Sequence, residues 1–350
     1  MPADSACLVC TDEPPENAGP TLQHEQVMSR TQAWDRYWAG GLLTTFGDKP
    51  TYKGELRNVW LDFFCSLPAE SQIADLGAGN GAVAEIAREA CQKGGRRIHL
   101  HAVDLARIIP KVKADPQNGF ELSWHPRTPN EATGLDAASM DAVTGNFAIE
   151  YGDDAATVKE ITRILKPGGR ARFLMHHAQS VVIIDSRGEL DALDALLMEG
   201  GVFDQARRFL KEYGGIRKPK QFEKLTQDPQ ANRQLARINE AFVRARARAT
   251  TPNAERLIGI IGRGISQAIS MPAIMKPRQQ LIEGLDGARA EYLANRSRLR
   301  DMQAAAVDEA RMSNYRKAFE AAGCKPTASE FRVPGFDRPA GWLLDVVKPA

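Results

Sequence analysis

Cysteine is sparse in this chain, five in 350 residues. Cys7 and Cys10 form one CxxC, and Cys65, Cys91 and Cys324 stand alone. One CxxC without a second pair cannot close a tetrahedral zinc site, so no metal is expected. An odd, scattered set predicts reduced thiols and argues against a disulfide framework. No apolar run approaches the ~18 residues of a membrane span. The first thirty residues have neither a basic start nor an apolar core, so no targeting peptide is visible and a cytoplasmic protein is expected. Net charge is only +2, too little to select a partner. There is no internal repeat. Apolar residues make up 43% and charged ones 26%, which excludes wholesale disorder and leaves ample material for a core.

Residues 1–28, with Asp-Glu-Pro-Pro and Asn-Ala-Gly-Pro, read as a flexible arm. Trp34, Tyr37 and Trp38 follow, then a helical pattern over 56–67 with Leu56, Val59, Trp60, Phe63 and Phe64 apolar. From residue 72 strands and helices alternate. Strands are predicted over 72–76, 98–103, 120–124, 141–147 and 171–175, with helices over 82–92 and 155–165. Lys166-Pro-Gly-Gly169 reads as a helix stop and turn, because proline cannot continue a helix and glycine tolerates positive φ. Such alternation predicts an α/β fold with a parallel sheet covered on both faces. Residues 185–310 break the rhythm and read as helices. One more helix over 312–322 and two strands over 325–333 and 341–348 close the chain. The expected organisation is a core of 29–184 and 311–350 carrying a helical insertion, 185–310, that serves as a substrate cover or a dimerisation surface.

The run from Asp75 to Gly81, Asp-Leu-Gly-Ala-Gly-Asn-Gly, sits between a predicted strand and a helix. Glycines there allow a sharp turn and close approach to a ligand. Alone the string is weak, but Asp104 closes the second strand, 27 residues past Gly77. A carboxylate at that strand end can accept both hydrogen bonds of a ribose diol, at the carboxyl edge where ligands of parallel sheets bind. The third glycine follows two residues after the second, whereas the dinucleotide fingerprint places it three on. That disfavours a nicotinamide-dependent dehydrogenase and favours a nucleoside without phosphates.

Together with Val103-Asp104, the Met140–Val143 strand start, Leu165–Gly169 and the terminal strand pair, this order resembles class I S-adenosylmethionine-dependent methyltransferases. The likeness covers roughly residues 70–180 and 310–348. It implies a Rossmann-like, seven-stranded, mostly parallel sheet with an antiparallel last strand, and S-adenosylmethionine as cofactor. It further implies that Asp75, Gly77, Ala78, Gly79, Asn80 and Gly81 line the methionine end and that Asp104 binds the ribose. Leu105 would border the adenine, with Asn130 or Glu131 meeting its amino group. Asn146 and Phe147 would face the sulfonium, and the segment bearing Tyr37 would fold over the cofactor.

Methyl transfer is an in-line displacement, so the protein must align the nucleophile, exclude water and, where needed, remove a proton. Glu150 and Tyr151 after the fourth strand, and His176 and His177 at the end of the fifth, are the candidate catalytic groups. The insertion suggests a small-molecule or lipid-type acceptor taking the methyl on O or N. Its basic stretch, 205–250, hints that this acceptor is anionic. The alternatives are a nucleic-acid methyltransferase, disfavoured because the Asn/Asp-Pro-Pro-aromatic tetrapeptide of base-amino enzymes is absent, and a non-catalytic ligand sensor or assembly protein on the same fold.

Overall fold

The structure is a computed structural model and describes residues 30–45 and 51–350. The flexible arm expected over 1–28, with Cys7 and Cys10, lies outside the described residues. Helix α1 (Arg30–Ala39), not foreseen from sequence, and α2 (Gly54–Cys65) precede the sheet. Then come β1 (Glu70–Leu76), α3 (Ala82–Gly94), β2 (Arg97–Asp104), β3 (Phe120–Pro126), β4 (Met140–Asn146), α4 (Asp154–Ile164) and β5 (Leu165–Met175). The seven-stranded sheet has order β3-β2-β1-β4-β5-β7-β6, completed by β6 (Lys325–Phe331) and β7 (Gly341–Val347). Strands β1 to β5 pair in parallel, and β7 runs antiparallel to both neighbours. This is the Rossmann-like methyltransferase fold.

Central β1 shows why the sheet forms. Ile73, Ala74, Asp75 and Leu76 are all buried, the continuous pattern of a strand covered on both faces. Helices α4 and α12 (Glu309–Ala321) start at Asp153 and Asp308, whose carboxylates accept from Ala156 N and Arg311 N, both at 2.8 Å. The expected turn at 166–169 is instead part of β5. Pro167 has no N–H to give the ladder, and the register slips between Met140 and Ala142. Gly168, at φ +79°, and Gly169 exchange backbone bonds with Lys348 instead, each 2.9 Å.

Between β5 and α12 the chain forms α5 (Val181–Leu197), α6 (Val202–Tyr213), α7 (Pro219–Thr226), α8 (Pro229–Arg246), α9 (Pro252–Ala268), α10 (Met271–Ile274) and the 28-residue α11 (Arg278–Ala305). These helices bury a core of their own, including Leu193, Leu196, Phe209, Leu210 and Ile258. Both chain crossings to the sheet are tied together, since Val307 N donates to His176 O (2.8 Å) and Ala178 N to Val307 O (2.9 Å). Helix α11 also packs against α1, bringing the two over the sheet's carboxyl edge. No helix among the described residues is long and apolar enough to cross a membrane.

On the opposite face α12 docks through Phe319, fully buried and stacked on Phe173 of β5 at 6.3 Å. Phe319→Ala is expected to lower the urea unfolding free energy by about 3–5 kcal/mol. A loss below about 1 kcal/mol would show that α12 does not pack as described.

Candidate active site

The Gly-rich turn joins β1 to α3 with Gly77, Gly79 and Gly81 all at positive φ. A Cβ at Gly77 would collide with Ala148, one at Gly79 would lie 2.6 Å from the Trp38 ring, and one at Gly81 2.8 Å from Trp124. Fully buried Asn80 braces the turn: its Oδ1 accepts from Ile109 N (2.7 Å), and its Nδ2 donates to Trp38 O (3.1 Å) and Leu42 O (2.7 Å). Of the turn residues expected to contact a cofactor, Gly77 and Ala78 line the adjoining cavity, whereas Gly79, Asn80 and Gly81 face protein. Their work is to seat α1 and the 105–112 loop.

Two carboxylates stand at this turn. Asp104 accepts from Gly79 N through Oδ2 (2.8 Å) and from Ala106 N through Oδ1 (2.7 Å). Burial lifts its pKa to about 6 against those two hydrogen bonds, with Asp35 adding a little repulsion. Asp75 accepts from Thr144 Oγ1 through Oδ1 (2.8 Å), while its Oδ2 is buried with no hydrogen-bond partner among the described residues. Burial drives Asp75 up to about 7, the Thr144 bond opposing and Asp104 reinforcing the rise. Among the described residues no cation pairs with either acid.

At the ends of β4 and β5, Phe147 holds φ +53° and stacks on His176 at 4.6 Å. A positive φ outside glycine carries strain of the kind that clusters at working sites. Tyr151 Oη lies 3.1 Å from His176 Nε2, and burial pulls His176 down to about 3, so it is neutral at pH 7. Glu150 is buried beneath and does not line the cavity. Its Oε1 accepts from His176 N (2.7 Å), and burial raises it to about 7. His177 also points away, stacked on Trp342 at 4.7 Å with Nε2 3.6 Å from Glu330. Of the four candidate catalytic groups only Tyr151 and His176 reach the cavity.

That cavity measures about 320 Å³, within the size of small-ligand sites. Asn146, Phe147, Asp104, Leu105, Asn130 and Glu131 contribute to its sheet side. Asn146 accepts from Trp60 Nε1 and donates to Tyr52 Oη, each 2.9 Å, and Glu131 accepts from Asp153 N (2.9 Å). Helix α1 supplies Thr31, Trp34, Tyr37 and Trp38, and α11 supplies Asn295, Arg298, Leu299 and Met302. Tyr37 donates to Thr44 O (2.9 Å). Asp35 pins α1 to the core through Arg127 (2.8 Å) and Arg107 N (2.6 Å), and Arg36 pins it to Glu291 of α11 (2.6 Å). Tyr52 and the α11 residues escaped the sequence reading, because no local pattern marks a helix face that meets a sheet edge over a hundred residues away. The basic stretch 205–250 is not in the lining; among the described lining residues the cationic side chain is Arg298.

Residues 73–169 match the family model described as a methyltransferase domain. This part of the chain is therefore similar to a methyltransferase domain. No curated protein matches the chain. Among solved structures it is similar to YcgJ of Bacillus subtilis (21% identity, 39% of this chain and 58% of that one, TM-score 0.30). It is similar also to a geranyl diphosphate C-methyltransferase of Streptomyces coelicolor (16%, 42% and 64%, 0.31) and an arsenic(III) methyltransferase of Chlamydomonas reinhardtii (22%, 32% and 40%, 0.25). The chain spans about three-fifths of the length of the first of these.

Asp75→Asn removes a buried charge while keeping an oxygen for Thr144. An acid with a folded pKa of about 7, against an ordinary 3.8, holds its proton more tightly when folded. Its contribution to stability is complete below pH 4 and is lost as pH rises through 7. The asparagine does not titrate, so the variant is expected to unfold in urea with about 2–4 kcal/mol more stability than the parent at pH 8, and with little difference at pH 4. A variant no more stable than the parent at pH 8 refutes this account of Asp75.

Proposed function

We propose that the protein is an S-adenosylmethionine-dependent methyltransferase acting on a small-molecule or lipid-type acceptor held between the sheet edge and α11. The observation that carries the reading is the buried Asp75 Oδ2, unpartnered among the described residues and next to Asp104, at the wall of the cavity. Two uncompensated carboxylates in low dielectric are a place for a cation. A sulfonium nucleoside bearing an α-ammonium group supplies it.

Asp75 would take the ammonium. Each Asp104 oxygen accepts one backbone N–H and keeps a lone pair for the ribose hydroxyls. Leu105, Asn130 and Glu131 would border the adenine, and Asn146 and Phe147 the sulfonium side. The faces of Trp34 and Tyr37 suit a neighbouring positive charge. The bound cofactor supplies the activated methyl carbon. The chain supplies alignment, worth on the order of 7 kcal/mol, with α1 and α11 keeping water out. His176, at a pKa of about 3, is too weak a base to carry a proton at neutral pH. With Tyr151 it orients the acceptor by hydrogen bonding, so the attacking atom is one that needs no strong base.

Calorimetric titration with S-adenosylhomocysteine tests the reading. Folded protein that shows no heat of binding at about 100 µM ligand would end it. Because the ligand's cation binds the ionised acids, affinity should fall as pH drops below about 7, by up to about tenfold per pH unit for each proton displaced. Affinity that is flat between pH 5 and 8 speaks against Asp75 as the ammonium partner.

His176→Ala and Tyr151→Phe, assayed for transfer of labelled methyl to small molecules of a cell extract, should each cut kcat by about a hundredfold while leaving S-adenosylhomocysteine affinity intact. Unchanged turnover in both variants removes the orienting role.

A further inference from the structure

The cavity carries opposite charge on its two walls. The acids stand on the sheet side, and Arg298 reaches in from α11. Its guanidinium lies over the Tyr37 ring, 4.8 Å from the centroid, and is oriented by two hydrogen bonds, to Ala33 O (3.3 Å) and Asn295 Oδ1 (3.0 Å). Two of its five N–H groups are thereby used. The other three have no hydrogen-bond partner, and Arg298 forms no ion pair, among the described residues.

Neighbouring arginines differ. Arg36 pairs with Glu291, Arg127 with Asp35, Arg296 and Arg300 with Asp194, and Arg311 with Asp154. Burial lowers the Arg298 pKa, opposed by Tyr37 and Glu291. A stacked, half-buried guanidinium with no ion pair among the described residues keeps three N–H groups for an oxyanion.

We infer that Arg298 is a carboxylate-binding residue of this cavity, contributed by the helical insertion. The ligand it takes presents a carboxylate toward α11 while its cationic or nucleoside part lies toward Asp75 and Asp104. Two molecules could bring that group, the amino-acid end of the cofactor or the acceptor itself. In the first case the inference rests on the function proposed above, and in the second it stands apart from it. The insertion would then do more than cover the site: it would read one charge on what the sheet edge holds.

The full chain, its Arg298→Gln variant and its Arg298→Lys variant are titrated with three probes: S-adenosylhomocysteine, 5′-methylthioadenosine, which lacks the amino-acid end, and benzoate. Benzoate is tested on both the free and the S-adenosylhomocysteine-saturated protein. Thermal unfolding of each variant checks that α1 remains docked, since Arg298 also bonds Ala33. If the cofactor brings the carboxylate, Arg298→Gln weakens S-adenosylhomocysteine by about tenfold or more and leaves 5′-methylthioadenosine unchanged, with Lys recovering part of the loss. If the acceptor brings it, S-adenosylhomocysteine is unaffected and benzoate binding is lost in the Gln variant. Equal affinity of parent and Gln variant for both acids overturns the inference, as does a parent that takes up no benzoate while S-adenosylhomocysteine ignores the substitution. Should the parent bind neither nucleoside, the proposed function falls, and benzoate on the free protein still decides the matter of Arg298.

Discussion

Two buried carboxylates, with no cation paired to either among the described residues, shape the carboxyl edge of this sheet. Asp75 is the second-last residue of β1 and Asp104 the last of its neighbour β2, and parallel register brings the strand ends together. Burying an ionised acid without a counter-charge costs free energy that a stable fold avoids. Here the cost is lessened only in part, by Thr144 on Asp75 and by two backbone N–H groups on Asp104. Both acids stand at the carboxyl edge, where ligands of parallel sheets bind.

The remaining elements around that edge keep water from solving the problem. Helix α1 lays Trp38 against Gly79, and Asn80 ties the end of α1 to the turn through Trp38 O and Leu42 O. Helix α11 closes the other side. Exclusion of water raises Asp75 and Asp104 and, by the same physics, depresses His176, because burial opposes whichever form of a group is charged. A single desolvated space therefore holds acids that resist ionisation and an imidazole that resists protonation. An arriving cation reverses the first effect and deepens the second, so acid and imidazole are biased toward the states in which one grips charge and the other stays a neutral hydrogen-bonding group.

Much of the fold was legible because its signals are local. The buried run Ile73–Leu76, the glycines at 77–81 and Asp104 at its strand end sit where the chain's own periodicity marks them, and the seven strands follow. Asp75, Gly77, Asp104, Asn146 and Phe147 could be placed at one edge because parallel strands align their carboxyl ends. What escaped was what depends on pairing across the molecule. Glu150 reads like a cleft carboxylate, yet the backbone turns it under His176 to bind an N–H. His177 follows His176 directly, and on an extended backbone successive side chains point to opposite sides; one of the pair had to leave the cavity. Gly79 and Gly81 look like ligand-cradling glycines, and the residues that need their missing Cβ atoms are two tryptophans, Trp38 and Trp124.

The division of charge between sheet and insertion follows from how each is built. The sheet edge can place acids at strand ends, where backbone N–H groups of the next turn steady them, as Gly79 and Ala106 do for Asp104. The long cationic side chain at that edge, Arg127 after β3, is already paired with Asp35. A helix lying across that edge supports another, since successive turns bring Asn295 and Arg298 onto one face and an aromatic ring of α1 can carry the guanidinium. The helical insertion thus sets a positive group in the same cavity as Asp75 without disturbing the sheet. A site with acids on one wall and a stacked arginine on the other distinguishes a dipolar ligand from a simple cation by geometry, because only a molecule long enough to meet both walls satisfies both.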